Sequence, residues 1–125
     1  MKKAVITTLA PTPIGPYSQA VVFGNMIFVS GQIAIEPSTG ILIQDNVEIE
    51  TKKVMENIGN VLKEAGFDYS NIVKSGIFLK NMNDFPKVNE VYASFLTAPF
   101  PARETVEVAR LPKDANVEIS VIACK

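Results

Sequence analysis

Short apolar runs separated by turn residues dominate the first third of the chain. A run at 4–7 is followed by a proline-rich loop and by two further runs at 20–23 and 26–30. Only Gly24-Asn25 joins these last two runs, which is typical of a β-hairpin with a two-residue turn. The sequence therefore predicts three strands here, with a continuation or bulge after the third.

A helical pattern follows. From Val47 to Ala65, apolar or small residues recur every three or four positions. Asp45 and Glu48 are predicted as the cap pair at its start, and Gly66 is predicted as its stop. The spacing predicts one amphipathic helix with a single buried face.

A second helical pattern begins near residue 83, where Asn83 or Asp84 is the predicted cap. It ends before Pro99 and Pro101, because proline cannot continue a helix. Its apolar residues fall on one predicted core face, made of Phe85, Val88, Tyr92, Phe95 and Leu96.

Three more strands complete the pattern, one between the two helices and two after them. Alternation predicts the first at 72–79, and apolar runs predict the others at 105–109 and 117–123. The order β-β-β-α-β-α-β-β is typical of an α+β fold, with a mixed sheet and both helices on one face. At 125 residues, 1–125 is predicted to form one domain.

Charge and composition exclude several kinds of function. The net charge is -1, with 12 basic and 13 acidic residues, so no basic surface for nucleic acid or an anionic membrane is predicted. No stretch approaches the roughly 20 apolar residues of a membrane span, and a cytoplasmic location is expected. Because the chain has no histidine and one cysteine, Cys124, we predict no metal site and no histidine-based catalysis.

Arg103 is the strongest candidate for chemistry, because it leads from Pro101-Ala102 directly into an apolar strand. A guanidinium stays charged in proteins, and its planar fork of donors matches a carboxylate. Arg103 therefore binds an acidic partner within the protein, binds a small anionic ligand, or stays solvated as a surface arginine.

Glu118 alternates with apolar residues in its strand, so its carboxylate lies either on a solvent-facing side or in a cleft. In a cleft, desolvation would raise its pKa and suit it to proton transfer near neutral pH. Gly31, after Ser30, forms a bulge or lets a ligand approach the backbone. Tyr17 is either an interfacial packing residue or part of a site, and Asn89 alone is a polar helix residue.

Several ordered motifs together resemble the RidA family, also called YjgF/YER057c/UK114. They are Ile14 to Ala20, Ser30-Gly31-Gln32-Ile33, Asn83-Asp84-Phe85, Val88-Asn89, Phe100-Pro101-Ala102-Arg103 and Val106 to Pro112. The resemblance implies a chorismate-mutase-like fold that assembles as a homotrimer. It also implies sheets that face a central barrel and ligand clefts between neighbouring subunits.

The resemblance further implies a reaction: hydrolysis of 2-aminoacrylate, 2-iminopropanoate and 2-iminobutanoate to 2-oxo acids and ammonia, with no cofactor. By similarity, Arg103 binds the substrate carboxylate and Glu118 positions and deprotonates water. Tyr17, Ser30, Gly31 and Asn89 line the pocket, Gly31 through its backbone.

Thr105 departs from the pattern, because many deaminases of this family have cysteine there. A threonine hydroxyl can still hold a substrate oxygen or a water, so the activity is expected to persist with an altered pocket. Two alternatives stay open: a non-catalytic 2-oxo acid or amino acid binding regulator, and a chaperone-like trimer. The ribonuclease activity of some relatives is disfavoured by the absence of histidine and of basic patches.

Overall fold

The computed structural model describes all residues, 1–125, as six strands and two helices. The observed order matches the predicted order, so the predicted α+β class is confirmed. The elements are β1 (Lys3–Val5), β2 (Ala20–Phe23), β3 (Met26–Gln32), α1 (Val47–Glu64), β4 (Ile72–Leu79), α2 (Phe85–Ser94), β5 (Ala102–Glu107) and β6 (Val117–Cys124).

The strands form one sheet in the order β1-β2-β3-β6-β4-β5. Neighbouring strands are antiparallel except β4 and β5, which are parallel and are connected through α2. The last strand of the chain, β6, lies in the middle and joins the N-terminal strands to β4 and β5. This non-local pairing decides which side chains share a face.

The two faces of the sheet differ in their cover. On β6, alternate residues from Val117 to Ala123 are buried against the helices, together with Ser75, Ile77 and Leu79 of β4. Both helices pack on this helix face, as predicted. The buried apolar residues are Val88 and Tyr92 of α2 and, in α1, Val54, Met55, Ile58, Val61 and Leu62. The opposite side, called the open face below, has no covering element. It carries Glu118 and an apolar set of side chains: Val21, Phe23, Phe28, Phe78, Val106 and Ile122.

The predicted ranges of two strands were wrong. The first strand stops at Val5, because the backbone N–H and C=O of Thr7 bond instead to the buried side chain of Gln19, at 2.7 and 3.0 Å. The fifth strand covers Ala102–Glu107 rather than 105–109, because its parallel register runs along 74–79 of β4. Arg103 therefore lies within the strand and not before it.

The helix ends show a similar mixture. The predicted cap pair of Asp45 and Glu48 was wrong: Asn46 caps α1, its side-chain oxygen accepting from the N–H of Ile49 at 2.8 Å. The predicted stop is confirmed, since Gly66 has φ +80°, a conformation that favours glycine. Asp84 is the N-cap position of α2 but makes no side-chain capping bond.

The hairpin and the bulge are also confirmed. Phe23 pairs with Met26 across a two-residue turn in which Gly24 has φ +62°. The pairing of β3 with β6 shifts between Val29 and Gln32, which places a bulge at Gly31. Neither helix is long and apolar enough to cross a membrane. No group of three or more His, Cys, Asp or Glu side chains is placed to hold a metal ion.

Candidate active site

Arg103 lies on the helix face, where residues from one side of α2 contact its guanidinium. Its Nη1 donates to Oδ1 of Asn89 at 2.6 Å. The guanidinium carbon lies 5.4 Å from the ring centre of Phe85 and 5.3 Å from that of Tyr92. Residues 85, 89 and 92 share one side of a helix because they are four and three positions apart. The cation is thus held by one amide and two aromatic rings.

No carboxylate neutralises Arg103. The ion pairs of the chain join Lys53, Lys74 and Arg110 to acidic residues, and Arg103 takes part in none. Beside Arg103 lies a cavity of about 410 Å³, whose lining includes Asn89, Phe100 and Pro101. Of the alternatives left open by the sequence, the structure excludes the acidic partner within one chain, and Arg103 is exposed. The free donors of the fork suit a small anion.

Thr105 lies two residues after Arg103 on the same side of β5, about 7 Å away by strand geometry. Its hydroxyl oxygen is buried and has no hydrogen-bond partner. A buried polar group without a partner is unfavourable. Thr105 does not line the cavity beside Arg103, so a substrate oxygen reaches this hydroxyl only after the side chains above it move. The structure brings Thr105, Asn89 and Arg103 to the same side of the sheet.

The second group of predicted residues lines a different cavity, of about 500 Å³. Tyr17, Ser30, Gly31 and Glu118 all line it, together with Lys113. Glu118 is half-buried, and burial raises the pKa of its carboxyl above the ordinary value. No cation pairs with it. A carboxylate in this state accepts a proton from water more readily than an exposed one.

Gly31 allows the Glu118 carboxylate to lie against the backbone. A Cβ at Gly31 would lie 2.7 Å from Oε2 of Glu118. Next to it, the Ser30 hydroxyl donates to the carbonyl of Ser18 at 2.6 Å. That bond uses the hydroxyl proton and leaves lone pairs on the serine oxygen to accept from a ligand. Tyr17 is exposed at the rim.

The two cavities open on opposite faces of the sheet. Arg103 pairs in register with Ser75, which is buried under the helices, whereas Glu118 pairs with Phe78 on the open face. The predicted catalytic pair is therefore not brought together within one chain. Four predicted residues surround Glu118's cavity, and three lie on the side of Arg103.

Sequence reasoning missed three residues of these sites. Phe85 and Tyr92 were predicted on one apolar helix face, and both do pack in or against the core, but their rings also face Arg103. Their spacing with Asn89 was the available signal, since it puts all three on one helix side. Lys113 was part of a predicted turn and has φ +55°, a conformation that favours glycine. Nothing in its local pattern indicated that it would line Glu118's cavity.

Comparison with known proteins identifies the family. The family model described as Endoribonuclease L-PSP matches residues 7–125. The chain belongs to this family, and the predicted RidA-family resemblance is confirmed. The Mus musculus protein named 2-iminobutanoate/2-iminopropanoate deaminase is 45% identical over 123 residues, which cover 98% of this chain and 91% of the mouse protein.

Solved structures share the whole fold. A Thermotoga maritima crystal structure matches with a TM-score of 0.97 and 49% identity, covering 100% of this chain and 98% of that one. The structure of E. coli TdcF with bound serine matches with a TM-score of 0.94 and 40% identity, covering 98% of each chain. Such coverage indicates a common arrangement of strands and helices from end to end.

Proposed function

We propose that the protein hydrolyses small 2-imino acids and their enamine tautomers, such as 2-iminobutanoate and 2-iminopropanoate, to 2-oxo acids and ammonia. The observation that carries the proposal is the Arg103 guanidinium, which has no carboxylate partner and borders an open cavity. These substrates supply the missing carboxylate. The name of the mouse relative supports the same substrate class.

A complete site needs a second copy of the chain, because Arg103 and Glu118 lie on opposite faces of the sheet. The apolar open face supports such an assembly: Phe23 is 57% exposed, and Phe28 and Val106 are each 41% exposed. Exposed apolar surface of this kind favours association. We propose a homotrimer in which the Arg103 cavity of one copy meets the Glu118 cavity of its neighbour.

In this site the reaction proceeds in two steps. Arg103, helped by Asn89 and Thr105, holds the carboxylate and orients the protonated C=N group. Glu118 takes a proton from a water molecule, whose oxygen bonds to the imine carbon while the C=N π electrons move to nitrogen. The protonated nitrogen then leaves as ammonia when the C–N bond breaks and the carbonyl forms. Before the C–N bond breaks, Glu118 gives the water proton to the nitrogen, and it takes the hydroxyl proton as the carbonyl forms.

The cavity in which Glu118 activates water is completed by Tyr17, Ser30 and the backbone of Gly31. No cofactor is proposed, and a cytoplasmic location stays a prediction from the sequence. The main alternative is a binding module that holds an amino acid or 2-oxo acid without turning it over. The bound serine in TdcF favours this alternative, since serine also carries a carboxylate.

The test measures imine loss directly. 2-Iminobutanoate is generated by a pyridoxal-phosphate dehydratase and trapped by semicarbazide, with the protein, Arg103→Ala or Glu118→Gln present. The deaminase hypothesis predicts faster imine loss with the parent only. If the parent binds 2-oxobutanoate through Arg103 but leaves the imine decay unchanged, the binding module is correct. Sedimentation as a monomer under assay conditions would contradict the shared site.

A further inference from the structure

We propose that Ser75 and Tyr92 are positioning residues of the Arg103 site, and this inference rests on the proposed function. The buried hydrogen bond between their hydroxyls fixes the ring of Tyr92. The fixed ring, in turn, sets the orientation of the Arg103 guanidinium before a carboxylate binds.

The contact geometry connects the three residues. Tyr92 Oη donates to Ser75 Oγ at 2.9 Å. Ser75 is the register partner of Arg103 on the neighbouring strand, so both side chains leave the sheet on the helix face. Tyr92 therefore reaches past the guanidinium to bond beside the base of Arg103. Its ring centre lies 5.3 Å from the guanidinium carbon as a result.

Burial of the two hydroxyls limits the Tyr92 ring to one placement. Ser75 is fully buried, and Tyr92 is 4% exposed. A hydrogen bond in such a dry environment is stronger than one in water, and either hydroxyl left alone would be an unsatisfied buried group. The ring is thereby limited to one placement. By contrast, nothing buries the guanidinium itself, since Arg103 is exposed at the edge strand.

An exposed arginine at a sheet edge normally samples many rotamers, and binding an anion must then restrict it. Here the two rings and the Asn89 amide restrict the guanidinium in advance. A pre-oriented fork lowers the entropy loss on binding. Loss of the hydroxyl pair should therefore weaken substrate binding while leaving the water attack at Glu118 unchanged.

The first measurement is the 15N NMR spectrum of the arginine Nε–H groups in the ligand-free protein. The chain has only two arginines, Arg103 and Arg110, so each signal is assigned by one substitution. Arg110, with its exposed ion pair to Asp114, serves as the internal reference. We expect a slowly exchanging, ordered Arg103 signal that becomes mobile in Tyr92→Phe and in Ser75→Ala, while the Arg110 signal stays the same.

The second measurement is steady-state imine hydrolysis. Tyr92→Phe and Ser75→Ala should each raise KM about threefold to tenfold, the effect of one hydrogen bond between neutral groups, with kcat within about twofold of the parent. The double variant should match either single variant, because each removes the same bond. Tyr69→Phe is the matched control: it loses a hydroxyl bond of 2.7 Å to the Met55 carbonyl, and Tyr69 is not one of the two rings that contact Arg103.

These results separate the two hypotheses. An Arg103 signal that stays ordered in both variants, or an unchanged KM, overturns the positioning role. Equal KM increases in Tyr69→Phe would also overturn it, because the effect would then come from general destabilisation. If the parent hydrolyses no imine but the Arg103 signal loosens in both variants, the positioning role stands and the proposed function fails.

Discussion

The two cavities solve opposite electrostatic problems. At Arg103, a charge is kept ready for an anion by neutral partners, one amide and two rings, which orient it without neutralising it. At Glu118, burial disfavours the charge and raises the pKa of the carboxyl. Within one chain the sheet lies between Arg103 and Glu118. The two groups therefore cannot form an ion pair with each other, which would leave neither free to act on substrate or water. Each chain can thus fold with the two reactive groups in separate cavities, and the groups meet only when two copies associate.

Gly31→Ala should damage only the Glu118 half, and by the largest factor. The new Cβ would lie 2.7 Å from Oε2 of Glu118, and the flexible carboxylate would move away. We expect kcat to fall about 100-fold, as for loss of a general base, with a folded protein of unchanged assembly. Gly76→Ala is the control, since its Cβ would meet Ser120 Oγ at a milder 3.3 Å. Full activity in Gly31→Ala would show that the placement of Glu118 is unimportant.

Arg103→Lys should damage only the other half. Lysine keeps the charge but loses the planar fork that binds a carboxylate through two bonds. We expect KM to rise about tenfold, with a smaller change in kcat. Arg110→Lys, at the other arginine, should leave both values unchanged. Equal KM values for the parent and Arg103→Lys would mean that only charge matters at this position.

Thr105→Val should separate function from stability. Because the threonine hydroxyl is buried without a partner, an isosteric methyl should raise the free energy of unfolding by about 1 kcal/mol. KM should rise about tenfold if the hydroxyl bonds to the substrate carboxylate, the lower end of the effect of one hydrogen bond to a charged group. Thr51→Val is the contrast, because its hydroxyl bonds to the Val47 carbonyl at 2.7 Å, and it should lose stability. Denaturant unfolding measures the free energies of unfolding, and kinetics on the same samples measure KM. A loss of stability in Thr105→Val would contradict the claim that its hydroxyl has no hydrogen-bond partner.

Apart from its loss of activity, Glu118→Gln should change stability by the smallest amount of all these variants, a gain that depends on pH. The pKa of Glu118 is higher in the folded protein than its ordinary 4.5, so at neutral pH the folded state holds a desolvated carboxylate that unfolding relieves. Glutamine removes this penalty. The free energy of unfolding should rise by less than about 1 kcal/mol, because solvent screens a half-buried group.

The pH dependence provides the check. The gain should be full above the folded pKa, shrink as the pH falls through it, and vanish below about 4.5, where both states are protonated. Thermal unfolding from pH 4 to pH 8 measures it. Glu104→Gln, on the same face but paired with Lys74, should show no such gain at neutral pH. A gain that persists at pH 4 would rule out titration of Glu118 as its cause.

Local sequence signals were enough for the elements and for part of the site. Gly24-Asn25 predicted the hairpin, and Gly66 predicted the end of α1, because both depend on the conformation of one or two residues. The predicted cap of α1 was wrong because it too depends on the conformation of one residue. Asp45, Asn46 and Glu48 are all candidates for the helix start, and only the backbone geometry at Asn46 lets its side chain reach the N–H of Ile49.

The division of the site required the structure. Alternation along β6 indicates that Glu118 opposes Ile119, but not which side Arg103 takes, since β5 pairs with β4 and not with β6. That pairing is non-local and leaves no periodic signal. Similarly, the helical spacing of Tyr92 predicts only a residue on the buried face of α2. Its contacts with Ser75 and Arg103 are what show that its ring also orients the guanidinium.

Mixing two inactive variants tests the shared site most directly. Arg103→Ala and Glu118→Gln, unfolded together and refolded in equal amounts, should recover about a quarter of parent activity, because one pairing in four joins an intact Arg103 to an intact Glu118. Each variant refolded alone should stay inactive. Mixed oligomers, verified by native mass spectrometry, that show no recovered imine hydrolysis would contradict a site built from two copies.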